Sequence, residues 1–184
     1  MTKPFDRVAL IGIGLIGSSL AHAMRKHKLA GEITGYARSE ATRKKALEID
    51  LVDKVFPTAA QAVKDADLVI LCSPVGTYGE LAREIGPGLR PGAILTDVGS
   101  VKGAVVRDVL PHVPQDVSFI PGHPIAGTEQ SGPESGFAEL FINRWCILTP
   151  LPDSDTGAVE RLAAVIVDVV EPDVGHHGHH GQQV

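Results

Sequence analysis

The sequence predicts an α/β protein built on one doubly wound, mostly parallel sheet, and three observations carry that class. Short continuous apolar runs alternate with helical patterns of about ten residues, as they do when helices cover both faces of a parallel sheet. A glycine-rich segment, Gly12-Ile13-Gly14-Leu15-Ile16-Gly17, joins the first run to the first helix. The remaining conspicuous motifs, ARS, CSPVG, DVGSVK and GHPIAG, each follow a predicted strand, and ligands bind beyond the carboxyl ends of strands in such sheets. The sheet is expected to be of the Rossmann type.

The elements follow in order. VALIG (Val8 to Gly12) is short, apolar and closed by glycine, as a buried parallel strand is. Ser18 to Lys28 places Leu20, Ala23 and Met24 on one helical face. ITGYA (Ile33 to Ala37), a helix from Glu40 to Glu48 and a short KVF strand come next. The helix AAQAVKDA leads into the strongest strand, Asp67 to Pro74. YGELAREIG is helical, followed by the strand Ala93 to Ser100, the helix KGAVVRDVLPHV and the strand Ser118 to Ile120. WCILTPL reads as a further strand and TGAVERLAAVIV as a further helix.

At 184 residues the chain suits one domain with a sizeable core. Its 43% hydrophobic and 21% charged residues are those of a globular protein. A net charge of -5 gives no reason to expect nucleic acid or an anionic membrane as partner. No apolar run reaches the roughly 18 residues of a membrane span, and the start carries no cleavable signal pattern. Cys72 and Cys146 form neither a disulfide framework nor a metal spacing, so a reduced, cytoplasmic protein is expected. Residues 1–170 are expected to form the domain and residues 171–184 a disordered Gly/His tail, whose abrupt start reads as a chain that stops early. The histidines of that tract are at most an adventitious metal site, and no metal centre is expected.

In the first motif Gly12 suits a tight turn, Gly14 lets the backbone approach a pyrophosphate, and Gly17 lets helix and strand pack closely. The helix N-terminus, with Leu15 and Ile16 in its first turn, offers unpaired N–H groups to phosphates. The second strand would ordinarily end in an Asp or Glu for the adenosine ribose. Here Ala37, Arg38 and Ser39 stand instead. The missing carboxylate and the nearby guanidinium favour NADP over NAD, with Arg43 placed to assist. A packing turn or a flavin site is the competing reading of the glycines.

One histidine, His123, lies between Gly122 and Pro124 in a stretch rich in small residues. The segments GIGLIGSSLA, LCSPV, DVGSVKG and GHPIAGTEQSG, in that order, resemble the N-terminal domain of the prephenate dehydrogenase family, which includes the arogenate and cyclohexadienyl dehydrogenases of tyrosine biosynthesis. The resemblance covers about Arg7 to Val167. It implies oxidative decarboxylation of prephenate to 4-hydroxyphenylpyruvate, or of arogenate to tyrosine, with hydride passing to NAD or NADP. It implies His123 as the catalytic base, a role suited to the side chain that changes charge nearest neutrality. It also implies Ser100 as an active-site hydroxyl bonded to the substrate or to His123, and Glu129, beside Thr128, at the mouth of the substrate pocket. Ser73 and Pro74 would line the cofactor ribose, and Lys102 would act electrostatically.

Plainer readings stand beside these. Ser100 suits the N-cap of a helix beginning near Val101, Glu129 suits a surface carboxylate, and His22, His27, His112 and Cys72 suit structural places. Family members continue into a helical C-terminal domain that forms a homodimer and supplies a substrate-binding arginine. No arginine follows Arg161 here, so that domain is expected to be missing. The alternatives are a non-catalytic nucleotide-binding fragment and another Rossmann enzyme, a β-hydroxyacid dehydrogenase or an imine reductase.

Overall fold

The structure, a computed structural model, describes residues 3–171. Six parallel strands are β1 (Phe5–Ile11), β2 (Ala30–Tyr36), β3 (Lys54–Phe56), β4 (Leu68–Leu71), β5 (Ile94–Asp97) and β6 (Ser118–Ile120). They stand in the order β3-β2-β1-β4-β5-β6. The chain runs outward from β1 to one edge, then returns to the centre and runs outward to the other. The reversal lies between β1 and β4, which pair directly from Val8↔Leu68 to Ile11↔Leu71.

Alternate side chains of a strand enter opposite faces, and the core accordingly divides in two. Val8, Leu10, Leu68, Ile70 and Ile94 join a cluster with helices α1 (Leu15–Lys26) and α6 (Thr156–Val170). Ala9, Ile11, Val69, Leu71 and Leu95 join a second with α3 (Ala59–Ala62), α4 (Tyr78–Ile85) and α5 (Lys102–Val109). In α1 the buried residues Gly17, Ser18, Ala21 and Met24 recur at helical spacing. Side-chain oxygens cap α2 (Glu40–Glu48) at Ser39, α3 at Thr58 and α6 at Asp155. Arg161 of α6 donates to the Pro4 carbonyl and stacks over the Phe5 ring, tying the last helix to the first strand. Among the described residues no helix is long and apolar enough to cross a membrane.

Three expectations need correction. WCILTPL does not join the parallel sheet. Its centre, β8 (Cys146–Leu148), pairs antiparallel with β7 (Gly122–Pro124), so His123 sits in a short strand and not in a loop. Three residues are too few for a visible alternation, and the partner lies more than twenty residues away. The helix expected over AAQAVKDA ends at Ala62, after which the chain turns through a positive φ at Asp65. Helix α5 ends at Val109 and tightens into a 3₁₀ turn over Leu110–His112, where Pro111 brings no N–H to the ladder. The expected tail, 171–184, lies outside the described residues except for Glu171, which caps α6.

Beyond the core, Glu32 bridges three strands, pairing with Arg7 of β1 and Lys54 of β3. The hydrogen bond from Lys54, then that from Arg7, holds its pKa below the ordinary carboxylate value against a partial desolvation. A depressed pKa contributes stability that is present above the unfolded value and lost as pH falls through the folded one. Glu32→Gln should therefore cost about 0.5–1 kcal/mol at neutral pH. Thermal melts of parent and variant should converge as pH drops below about 4, the ordinary carboxylate range. Equal melting temperatures at neutral pH would remove the bridge from the account.

Candidate active site

The dinucleotide loop is built where β1 and β4 end side by side. Gly12 has φ +114°, a conformation open to glycine at little cost. A Cβ there would lie 2.6 Å from Ser73 N and 2.7 Å from the Cys72 carbonyl carbon. At Gly17 it would lie 2.2 Å from the Gly12 carbonyl oxygen, so the first turn of α1 presses on the loop. Gly14, the N-cap of α1, is different: no atom comes within 4 Å of a Cβ built there. Two glycines make the fold close, and the third leaves open space above a helix N-terminus. That N-terminus has no side-chain cap and no acidic residue in its first turn. A bound phosphate fits such a place by hydrogen bonding and by charge.

A cleft of about 440 Å³ opens at this point. It brings together Gly12, Gly14, Arg38, Ser39, Ser73 and Pro74, as the sequence predicts. Leu15, Ile16 and Gly17 lie in the first turn of α1 and do not line it. Thr42, Thr77, Glu80, Glu84 and Gly132 line it as well, and sequence reasoning missed all five. Only Thr42 carried a signal, standing three residues beyond the capping Ser39. Ser73 is held by a 2.9 Å hydrogen bond between its hydroxyl and that of Thr77. Arg38 is exposed. Arg43, expected to assist it, instead donates to the carbonyls of Ala37 and Arg38 and so braces the turn's backbone. Cys72 reaches the cleft floor but packs its side chain on the core, and burial pushes its thiol pKa up.

His123, Ser100, Thr128 and Glu129 do not line this cleft. They stand beyond the ends of β5 and β6. The β7–β8 ribbon has two unlike faces, because opposed residues of an antiparallel pair share a face. Gly122, Pro124, Cys146 and Leu148 face inward onto an apolar cavity of about 60 Å³ floored by α6. Burial there raises the Cys146 thiol pKa. His123 stands opposite Ile147 on the other face, with Ile125 and Trp145 next along it. Trp145 is 81% exposed, which marks this as the open face. The His123 imidazole, half-buried, stands on this face.

Ser100 is exposed and does not cap α5, whose N-cap is Val101 without a side-chain bond. Among the described residues no hydrogen bond joins Ser100 to His123, one of the two partners expected for its hydroxyl. The Thr128 hydroxyl accepts from Gln130 N–H at 3.2 Å, a local turn, and Glu129 is exposed. The chain then returns to α1, where Phe137 N–H donates to Ser19 Oγ and Glu139 pairs with Lys26. This return carries Gly132 to the rim of the dinucleotide cleft. His22 is partly buried, and burial, with the Arg25 charge next, lowers its pKa. His112 lies in the 3₁₀ turn that follows α5. Among the described residues no cluster of His, Cys, Asp and Glu suits a metal ion.

Sequence reading also passed over Asp97. It ends β5, is fully buried, and pairs with Lys102. A carboxylate closing a short buried strand, with a lysine five residues on, was the signal available.

With this geometry in place, comparison with known proteins identifies the family. The family model described as "Prephenate dehydrogenase, nucleotide-binding domain" matches residues 20–171. A cyclohexadienyl dehydrogenase of Zymomonas mobilis is 40% identical over 159 residues, covering 86% of this chain and 54% of that protein. A prephenate dehydrogenase of A. aeolicus, solved with hydroxyphenyl propionate and NAD+, superposes with a TM-score of 0.83 at 32% identity, over 91% of this chain and 58% of that one. An arogenate dehydrogenase of Synechocystis gives 0.82 at 31% identity, over 90% and 58%. The chain spans about half the length of the curated relatives it matches. It belongs to the family of the prephenate dehydrogenase nucleotide-binding domain.

Proposed function

We propose that the chain is the dinucleotide-binding part of a dehydrogenase of tyrosine biosynthesis, which oxidatively decarboxylates prephenate or arogenate with NADP or NAD as hydride acceptor. Residues 1–170 form the dinucleotide-binding domain. The observation that carries the reading is the placement of His123: an imidazole on the open face of the β7–β8 ribbon, at the same carboxyl end of the sheet as the dinucleotide cleft. The relatives' activities support it.

The cleft fits a dinucleotide by its own features: the open space over Gly14, the uncapped start of α1, and Ser73 and Pro74 on the facing rim. A nicotinamide dinucleotide bound there supplies the acceptor for the hydride. His123 accepts the proton of the ring hydroxyl as the carbinol carbon becomes a carbonyl. When the carboxylate leaves as carbon dioxide, its bonding electrons enter the ring, the oxygen becomes phenolic, and the imidazolium can return the proton to it. Ser100, unengaged by any helix cap, is free to bond the same oxygen, and Glu129 and Thr128 stand on the exposed segment beyond. Orientation governs hydride transfer, so the placement of the imidazole by the ribbon bears directly on rate. Arg38, exposed at the cleft and with no carboxylate on its turn, favours NADP.

Three tests follow from this reading. Gly14→Val should melt within about 1 kcal/mol of the parent, since it loses only part of an N-cap preference. It should nevertheless abolish dinucleotide binding in a fluorescence titration. Gly12→Ala should cost about 2 kcal/mol or more through strain and overlap. A Gly14→Val chain that binds as the parent does would dismiss the loop assignment.

The parent should bind NADP more tightly than NAD, and Arg38→Ala should erase about 1.5–3 kcal/mol of that preference by calorimetry. A parent that prefers NAD overturns the role given to Arg38.

Turnover is measured with prephenate and arogenate, on the chain alone and on the chain joined to the C-terminal half of the Zymomonas relative. His123→Asn in the active form should keep dinucleotide affinity and lower kcat by roughly 10²–10⁴-fold. Dinucleotide binding without turnover in either form would favour the non-catalytic reading, and an unimpaired Asn variant would refute the base.

A further inference from the structure

The ion pair beneath His123 is used neither by the dinucleotide loop nor by the proton transfer. Asp97 Oδ1 accepts from Gly122 N–H at 3.1 Å, and Oδ2 accepts from Gly99 N–H at 2.8 Å. Lys102 Nζ donates both to Asp97 Oδ2 and to the Gly122 carbonyl oxygen. The N–H and the C=O of the residue before His123 are therefore held by the two halves of one buried pair. The same carboxylate holds the residue before Ser100.

Strand geometry explains why this pair is needed. The Pro121 carbonyl accepts from Thr149 N–H and Ile125 N–H donates to the Trp145 carbonyl, so the odd residues of this stretch turn their backbone groups toward the β8 side. Gly122, between them, turns its own groups to the opposite edge. That edge faces the end of β5, where Asp97 and Lys102 meet it. No larger residue fits at 122: a Cβ would lie 2.9 Å from the Asp97 carbonyl oxygen and 3.2 Å from Thr96 Oγ1. The glycine of GHP and the Asp and Lys of DVGSVK are thus parts of one device.

We propose that Asp97 and Lys102 are positioning residues, a two-point clamp on the Gly122 peptide that sets where the His123 imidazole stands relative to Ser100. The proposal rests on the reading of His123 as the base. Neither residue touches the reacting atoms. They act through the backbone, by pinning a three-residue strand that has few other restraints.

The test uses the isotopically labelled 184-residue chain, with the His123 ring signal assigned by its absence from His123→Asn. Amide hydrogen exchange and ring resonances are compared in the parent, Lys102→Gln, Lys102→Arg and the remote core variant Val69→Ala. In Lys102→Gln the protection of Gly122 and His123 should fall at least tenfold more than that of β1 amides, and the His123 ring signal should shift or double. Lys102→Arg keeps the charge and several donors, and should restore both. Val69→Ala should lower protection broadly and leave the ring signal in place. If Lys102→Gln does not fold, Asp97→Asn/Lys102→Gln leaves no unpaired buried charge and takes its place. Unchanged exchange at Gly122 and His123, or a change that Val69→Ala reproduces, overturns the clamp. Failure of the catalytic reading would appear separately, as an active form indifferent to His123→Asn while the exchange result holds.

Discussion

A carboxylate removed from water at the end of β5 constrains everything around it. Asp97 has no exposed side-chain surface, and its charge is tolerable there because an ammonium and two backbone N–H groups surround it. Removing one partner from such a pair costs about 3–5 kcal/mol, more than most contacts in a domain. Three segments must therefore arrive together: the turn at Gly99, the first residue of α5 and the first residue of β7. Loop composition alone would leave these segments free to wander. The pair makes them one unit, and the candidate base is the next residue in line.

The dinucleotide side of the molecule is organised by steric exclusion and not by charge. Gly12 and Gly17 press β1, β4 and α1 together until nothing larger than hydrogen fits, and that compression sets the open space over Gly14. Tyr78, fully buried, donates to the Leu71 carbonyl and so ties the start of α4 to the end of β4, on either side of Ser73. The two halves of the site thus rest on different physics, contact on one side and a neutralised charge on the other. The shared sheet brings them to the same end.

Much of this was legible in the sequence where the signal was local. Short apolar runs gave β1, β4 and β5, and helical spacing gave α1, α4 and α6, with boundaries moved by a few residues. GIGLIG carried its meaning because a strand precedes it and a helix follows. The rest depended on partners distant in sequence. Nothing in GHP announces a strand until CIL is known to lie beside it. Arg43 reads as a phosphate ligand until the carbonyls of Ala37 and Arg38 are seen within its reach. Asp97 reads as the polar end of a strand until Gly122 closes over it. A motif shows which residues are required and leaves open whether they meet the ligand or each other.

The ribbon carries a parity rule. Its outer face holds His123, Ile125, Trp145 and Ile147, and its inner face holds Gly122, Pro124, Cys146 and Leu148. Sliding β7 against β8 by a single residue would exchange inner for outer along the ladder and drive an imidazole toward the apolar cavity under α6. The link between Pro124 and Cys146 crosses α1 before returning, and a change in its length acts on the ribbon through this register. Such changes are silent only while the pairing of His123 with Ile147 is preserved. Insertions and deletions in descendants of this chain should therefore spare the two three-residue strands.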